Sequence, residues 1–159
     1  MPSPLARYRI SLGVFIFGLV VSGLTAFPLL AEMRLLDGWL GSSESGLARW
    51  IDTIRHGLEA TYAVYPWIAY GTDWLAFGHL VIALFFIVPF RDPLPNRWVL
   101  VVGMISCAGV IPLAMIAGAV RGIPVWWRLI DCSFGVIGII PLVYCLRMLP
   151  KIRAQENGA

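Results

Sequence analysis

The sequence predicts an all-α integral membrane protein: four transmembrane helices in a bundle, with one amphipathic interfacial helix on the outer side. Three observations predict it. Hydrophobic residues make up 59% of the 159 residues and charged ones only 13%, against about 45–50% and ~25% in a soluble domain. Four apolar runs are each long enough to cross a hydrocarbon layer, which takes about 20 residues at ~1.5 Å of rise each. Between the first and second runs, apolar residues recur with a helical period instead of filling the whole segment. The four runs leave no room for a soluble domain, so residues 1–159 are expected to form one polytopic unit.

The first span is expected at about 10–30, after Arg7-Tyr8-Arg9. Its core exceeds the ~7–15 residues of a secretory signal, and Leu29 occupies the −3 position before Ala31 where a small residue would be needed, so it reads as a retained span. Gly18, Ser22 and Ala26 recur every four residues, a stripe expected to admit a neighbouring helix. Glu32, Arg34 and Asp37 mark the exit from this span.

Residues 31–71 read as an outer loop. Gly41-Ser42-Ser43 offers a turn and an N-cap, with Glu44 in the first helical turn. An amphipathic helix is expected at about 44–61: Leu47, Trp50, Ile51, Ile54 and Leu58 share one face. Arg49, Asp52, Arg55, His56 and Glu59 lie opposite, with Arg49/Asp52 and Arg55/Glu59 at ion-pair spacing. The aromatic segment from Tyr62 to Tyr70 suits headgroup depth.

The second span is expected at about 72–90, with Thr72 or Asp73 as N-cap. Prolines in the turn from Arg91 to Arg97 end it and space the third span, about 98–120, in which Pro112 frees the carbonyl of Ala108 and predicts a kink. Pro124 suits the first position of the fourth span, about 124–148, with a second kink at Pro141. Cys107, Cys132 and Cys145 have no metal or redox spacing and read as small hydrophobes.

With the N-terminus inside, seven basic residues (Arg7, Arg9, Arg91, Arg97, Arg147, Lys151, Arg153) face inward and five (Arg34, Arg49, Arg55, Arg121, Arg128) outward. The first span's inner flank has two arginines, so both termini are expected in the cytoplasm of a bacterium, with the chain in its inner membrane. The net charge of +3 forms no patch, which argues against a nucleic-acid partner.

On this topology the ionisable residues in or near the spans gather on the outer side. Asp73 and His79 enter from the second span, Arg121 ends the third, and Arg128 and Asp131 begin the fourth. His79 and Asp131 fall at similar expected depths, about 10 Å and 7 Å below their helix starts. A charge near the bilayer centre costs at least ~2.5–3.5 kcal/mol, so such residues face partners or a cavity. Two readings follow. In the first, Arg121 or Arg128 pairs with Asp131 to pin the last hairpin, and His79 donates to a backbone or hydroxyl acceptor. The chain is then a non-enzymatic scaffold or accessory subunit, with lipid and other membrane subunits or its own copies as partners. In the second, His79, Asp131, Arg121 and Arg128 form an outward-facing pocket for a ligand or transported solute, quinone- or haem-linked if the histidines take part. His56 and His79 are the metal candidates the chain offers, without a short-spaced motif. No hydrolase elbow, Cys/His signature or P-loop is present.

Overall fold

Ser3 and Pro4 open the first helix before its apolar run begins. The Ser3 hydroxyl accepts from the Ala6 amide at 3.2 Å and its carbonyl from Arg7 at 3.0 Å. Pro4 takes the first helical position, where its missing N–H is no loss. The computed structural model describes residues 2–40, 43 and 45–157, all but a few of them in six helices. These are α1 (Pro4–Ala26), α2 (Leu29–Leu40), α3 (Gly46–Val64), α4 (Trp67–Arg91), α5 (Arg97–Val120) and α6 (Val125–Asn157). Four of them, α1, α4, α5 and α6, are long and apolar enough to cross a membrane.

Several boundaries differ from the expected ones, each for a local reason. The first helix stops at Ala26 because Pro28 has no amide to continue the ladder. The Pro28 carbonyl instead accepts from Glu32 at 2.9 Å and starts α2. Residues 31–71 therefore hold two helices besides the start of α4, not one. Helix α3 is capped by Ser45, whose hydroxyl accepts from the Ala48 amide at 3.1 Å; Gly41, Ser42 and Glu44, expected to make that turn, lie outside the described residues. Tyr65 and Pro66 end α3 and begin α4, with Ile68 and Ala69 donating back to their carbonyls. Thr72 and Asp73 thus sit inside α4 and cap nothing. Helix α6 runs past Pro141 and Pro150 to Asn157, beyond the expected end near Met148.

The chain divides into two compact units, residues 1–18 with 83–159, and residues 19–82. In the first, α5 and α6 form an antiparallel hairpin whose turn is built by glycine. Gly122 has φ +70°, its amide bonds to Ala119 and the Ile123 amide to Gly118, a pairing that closes helices through a left-handed residue. Pro124 then accepts from Trp127 and Arg128 and starts α6. The helices meet where side chains vanish: a Cβ on Gly135 would strike the Cys107 carbonyl, and one on Gly103 would lie 3.1 Å from Leu142 of α6 and 2.5 Å from Phe86 of α4.

Helix α1 joins this unit by its first turns. Tyr8, wholly buried, donates its hydroxyl to the Pro89 carbonyl at 2.9 Å, and Arg9 reaches the carbonyls of Phe90 and Arg91 at 3.3 and 3.5 Å. The last carbonyls of a helix have no partner in their own ladder; here α1 supplies them. Arg7 lies over the Tyr144 ring, Ser11 donates to Pro141, and Cys145 to Tyr8.

In the second unit, α2 and α3 form an antiparallel pair held by charge. Arg55 bonds to Asp37, Asp52 and Glu59 at 2.7–2.9 Å, and Arg34 bonds to Glu59 at 2.8 Å. The charged face of α3 is thereby turned partly onto α2, leaving the Arg55 side chain 19% exposed. On α1 the close approach is at Gly23, where a Cβ would lie 2.9 Å from the Ala76 carbonyl. The expected Gly18–Ser22–Ala26 stripe runs beside that face, and Gly18 meets nothing within 4 Å.

Candidate functional site

Arg121, Arg128 and Asp131 belong to the first unit; Asp73 and His79 belong to the second. The hairpin turn decides where the first three fall. With α5 and α6 in the register set by Gly122, Arg128 in the first turn of α6 faces the last two turns of α5. Its stem crosses Gly118, where any Cβ would collide with it, and its Nη1 donates to the Met115 carbonyl at 3.1 Å. The Nε of Arg128 is enclosed and has no acceptor among the described residues.

The expected pairing of Asp131 with Arg121 or Arg128 is not made. Among the described residues no ion pair joins them. Sequence spacing placed the charges near one turn, but Arg128 found a backbone acceptor on the facing helix first. Arg121 and Asp131 instead line one open hollow of about 380 Å³, with Leu113, Ala114, Ala117 and Ile123 among its walls. Two opposite charges on an apolar wall, unpaired, leave room for a polar or zwitterionic group between them.

His79 is the central residue of α4. Twelve steps separate it from Trp67, about 18 Å of rise, whereas Asp131 is six steps and about 9 Å into α6. The expected match in depth came from starting α4 at residue 72, and it does not hold. His79 Nδ1 lies 2.9 Å from the Leu75 carbonyl. A carbonyl only accepts, so Nδ1 carries the proton in this contact. The residues sharing its face, Ala76 and Ala83, are buried.

Asp73 lines a different kind of hollow, of about 260 Å³, with Phe27, Tyr70, Trp74 and Phe77. The aromatic reading of Tyr62–Tyr70 reached only Tyr70 of its rings, because Trp74 and Phe77 lie within the apolar run. The face is nevertheless legible as positions i, i+4 and i+7 from Tyr70.

His56, exposed on α3, bonds to Asp52 at 3.0 Å. Among the described residues no three His, Cys, Asp or Glu side chains gather into a metal-binding group. Cys132 and Cys145 are buried, each with its thiol toward a backbone carbonyl, Ile111 and Tyr8 respectively.

The strongest electrostatics lie on α2 and α3. The Arg34 hydrogen bond, with Arg55 beside it, holds the Glu59 carboxyl below its usual range, and the Asp52 bond raises Arg55. A carboxyl lowered on folding stabilises the folded form above its unfolded pKa, and the contribution is lost as pH falls through the lowered value. Acidification below the ordinary carboxylate range is therefore expected to loosen α3 from α2 while α5 and α6 stay packed. Hydrogen exchange, corrected for intrinsic rates, reads this as protection lost in α3 alone; unchanged α3 protection once Glu59 is protonated would remove the ion pairs from the account. No protein-family model, curated protein or solved structure matches this chain.

Proposed function

We propose that this chain is a small, non-enzymatic protein of a bacterial inner membrane, a scaffold or accessory subunit whose four apolar helices span the bilayer as a bundle with both termini in the cytoplasm. One observation carries the reading. The side-chain hydrogen bonds described in the apolar helices end on backbone carbonyls of the same chain: Tyr8 on Pro89, Ser11 on Pro141, His79 on Leu75, Ser106 on Val102, Arg128 on Met115. Tyr8, Ser11 and Arg128 thereby tie one helix to another, while His79 and Ser106 bond back within their own helices. Polar side chains within a bilayer serve this way when no water is present to satisfy the backbone.

Membrane placement is supported by the outer faces. Phe17, Ile105, Ile116, Phe134 and Ile137 are each more than 60% exposed, a surface that suits lipid or another subunit and not water. Arg7 lies over the Tyr144 ring and Cys145 donates to the Tyr8 carbonyl, contacts that support the reading that the start of α1 and the later part of α6 share one side.

Native mass spectrometry of protein extracted in mild detergent tests the proposal. The expected result is a fixed stoichiometry with a second membrane chain or with further copies. A lone chain carrying one quinone or haem overturns it. That outcome would favour a second reading, for which the unpaired Arg121 and Asp131 speak: a pocket, open to the outer side, that binds or passes a polar ligand. In that case Asp131→Asn would release the retained mass.

A further inference from the structure

The hollow of the second unit has walls of one kind and a single charge. Tyr70, Asp73, Trp74 and Phe77 stand on one face of α4 at i, i+3, i+4 and i+7. Phe27 closes it from the break between α1 and α2, where Pro28 turns the chain. Tyr70 and Trp74 have ring centroids 5.9 Å apart and planes at 84°, and Trp74 and Phe77 follow at 6.2 Å and 87°. The rings line one side of an open hollow, with Tyr70, Trp74 and Phe77 each more than half exposed.

Each aromatic face carries the negative lobe of its quadrupole, and tryptophan's is the strongest. The only formal charge in the wall, Asp73, has the same sign, and no ion pair among the described residues neutralises it. A carboxylate half-buried in an apolar helix costs free energy until a cation meets it. Rings and carboxylate therefore select one ligand chemistry independently: anions are repelled by both, and a neutral apolar group leaves the carboxylate unmet. A volume of about 260 Å³ has room for an ammonium head and its first methylenes.

We propose that this hollow binds an alkylammonium head, primary or quaternary, carried by a lipid or free in solution. The cationic nitrogen lies against Trp74 and Asp73, and the adjoining methylenes rest on Phe27 and Phe77. This site is independent of the scaffold reading and stands or falls on its own measurement.

Choline is titrated calorimetrically into the full chain in detergent, beside its uncharged carbon isostere. Choline is expected to bind at least about tenfold more tightly than the isostere, and Trp74→Leu to weaken choline by about tenfold. Asp73→Asn, which keeps the volume, is expected to erase the preference for charge, and Asp73→Glu to restore part of it. Nanodiscs of phosphatidylglycerol doped with phosphatidylethanolamine then separate the sources. Stoichiometric retention of the amine lipid, lost in Asp73→Asn, identifies a lipid head; choline binding without such retention identifies a soluble amine. Equal binding of choline and isostere by the unaltered chain overturns the proposal, as does choline binding indifferent to Asp73→Asn. The rings would then be an interfacial belt. The isostere comparison needs no variant, so a folding defect in any of them leaves the test intact.

Discussion

Gly135→Leu is expected to separate α5 from α6 and to destabilise the first unit by about 3 kcal/mol or more, the upper range for forcing extra atoms into a packed contact. The obstacle is a backbone atom, the Cys107 carbonyl, with Val110 Cβ also 3.4 Å from a Cβ at residue 135. Flexible side chains can swing aside, whereas a carbonyl in the middle of α5 cannot move without its helix. Even Gly135→Ala should therefore be destabilising. The same helix pair supplies the control. Gly109 meets nothing within 4 Å, so Gly109→Ala is expected to be neutral or to stabilise by up to about 0.5–1 kcal/mol through helix propensity. Unfolding in a detergent titration, followed by far-ultraviolet circular dichroism, ranks the three. If the two alanine variants behave alike, the close approach of α5 and α6 is wrong.

Tyr8→Ala comes next. Its ring has no exposure, and removing a buried aromatic side chain costs about 3–5 kcal/mol. Tyr8→Phe isolates the hydroxyl. It keeps the packing and strands the Pro89 carbonyl, a loss of about 1–3 kcal/mol for a buried acceptor left unpaired. Amide exchange near the end of α4, where Asp92 donates to Val88 at 3.0 Å, should quicken in both variants and more in the alanine. An unchanged rate in Tyr8→Phe would mean that the carbonyl finds another donor.

The four apolar helices were legible because a length of hydrophobic sequence has few other uses. Helix α2 was not. Glu32, Arg34 and Asp37 interrupt its apolar pattern and look like a loop until Arg55 and Glu59, the partners of Asp37 and Arg34 at 18 and 25 residues' distance, are placed beside them. Pro28 and Pro66 did carry boundary signals, and reading the first span through Pro28 put its end too late. The candidate site residues were named by type, and the partners expected for them differ from those in the structure. Arg128 lies three positions from Asp131, yet it bonds to a carbonyl 13 residues back. Only the hairpin register, set by the positive φ of Gly122, brings that carbonyl within reach. Phe27 gave no local sign of closing a hollow, since its contribution depends on where the broken helix turns.

The cap that α1 places on α4 also orders events during synthesis. A ribosome makes Tyr8 early, but the carbonyl it serves lies 81 residues later, and the thiol that donates to its own carbonyl lies 137 residues later. A nascent chain that has released only α1 holds this tyrosine with neither partner. Its burial must await α6, so Tyr8 reaches its final surroundings only after residues made 137 positions later have emerged.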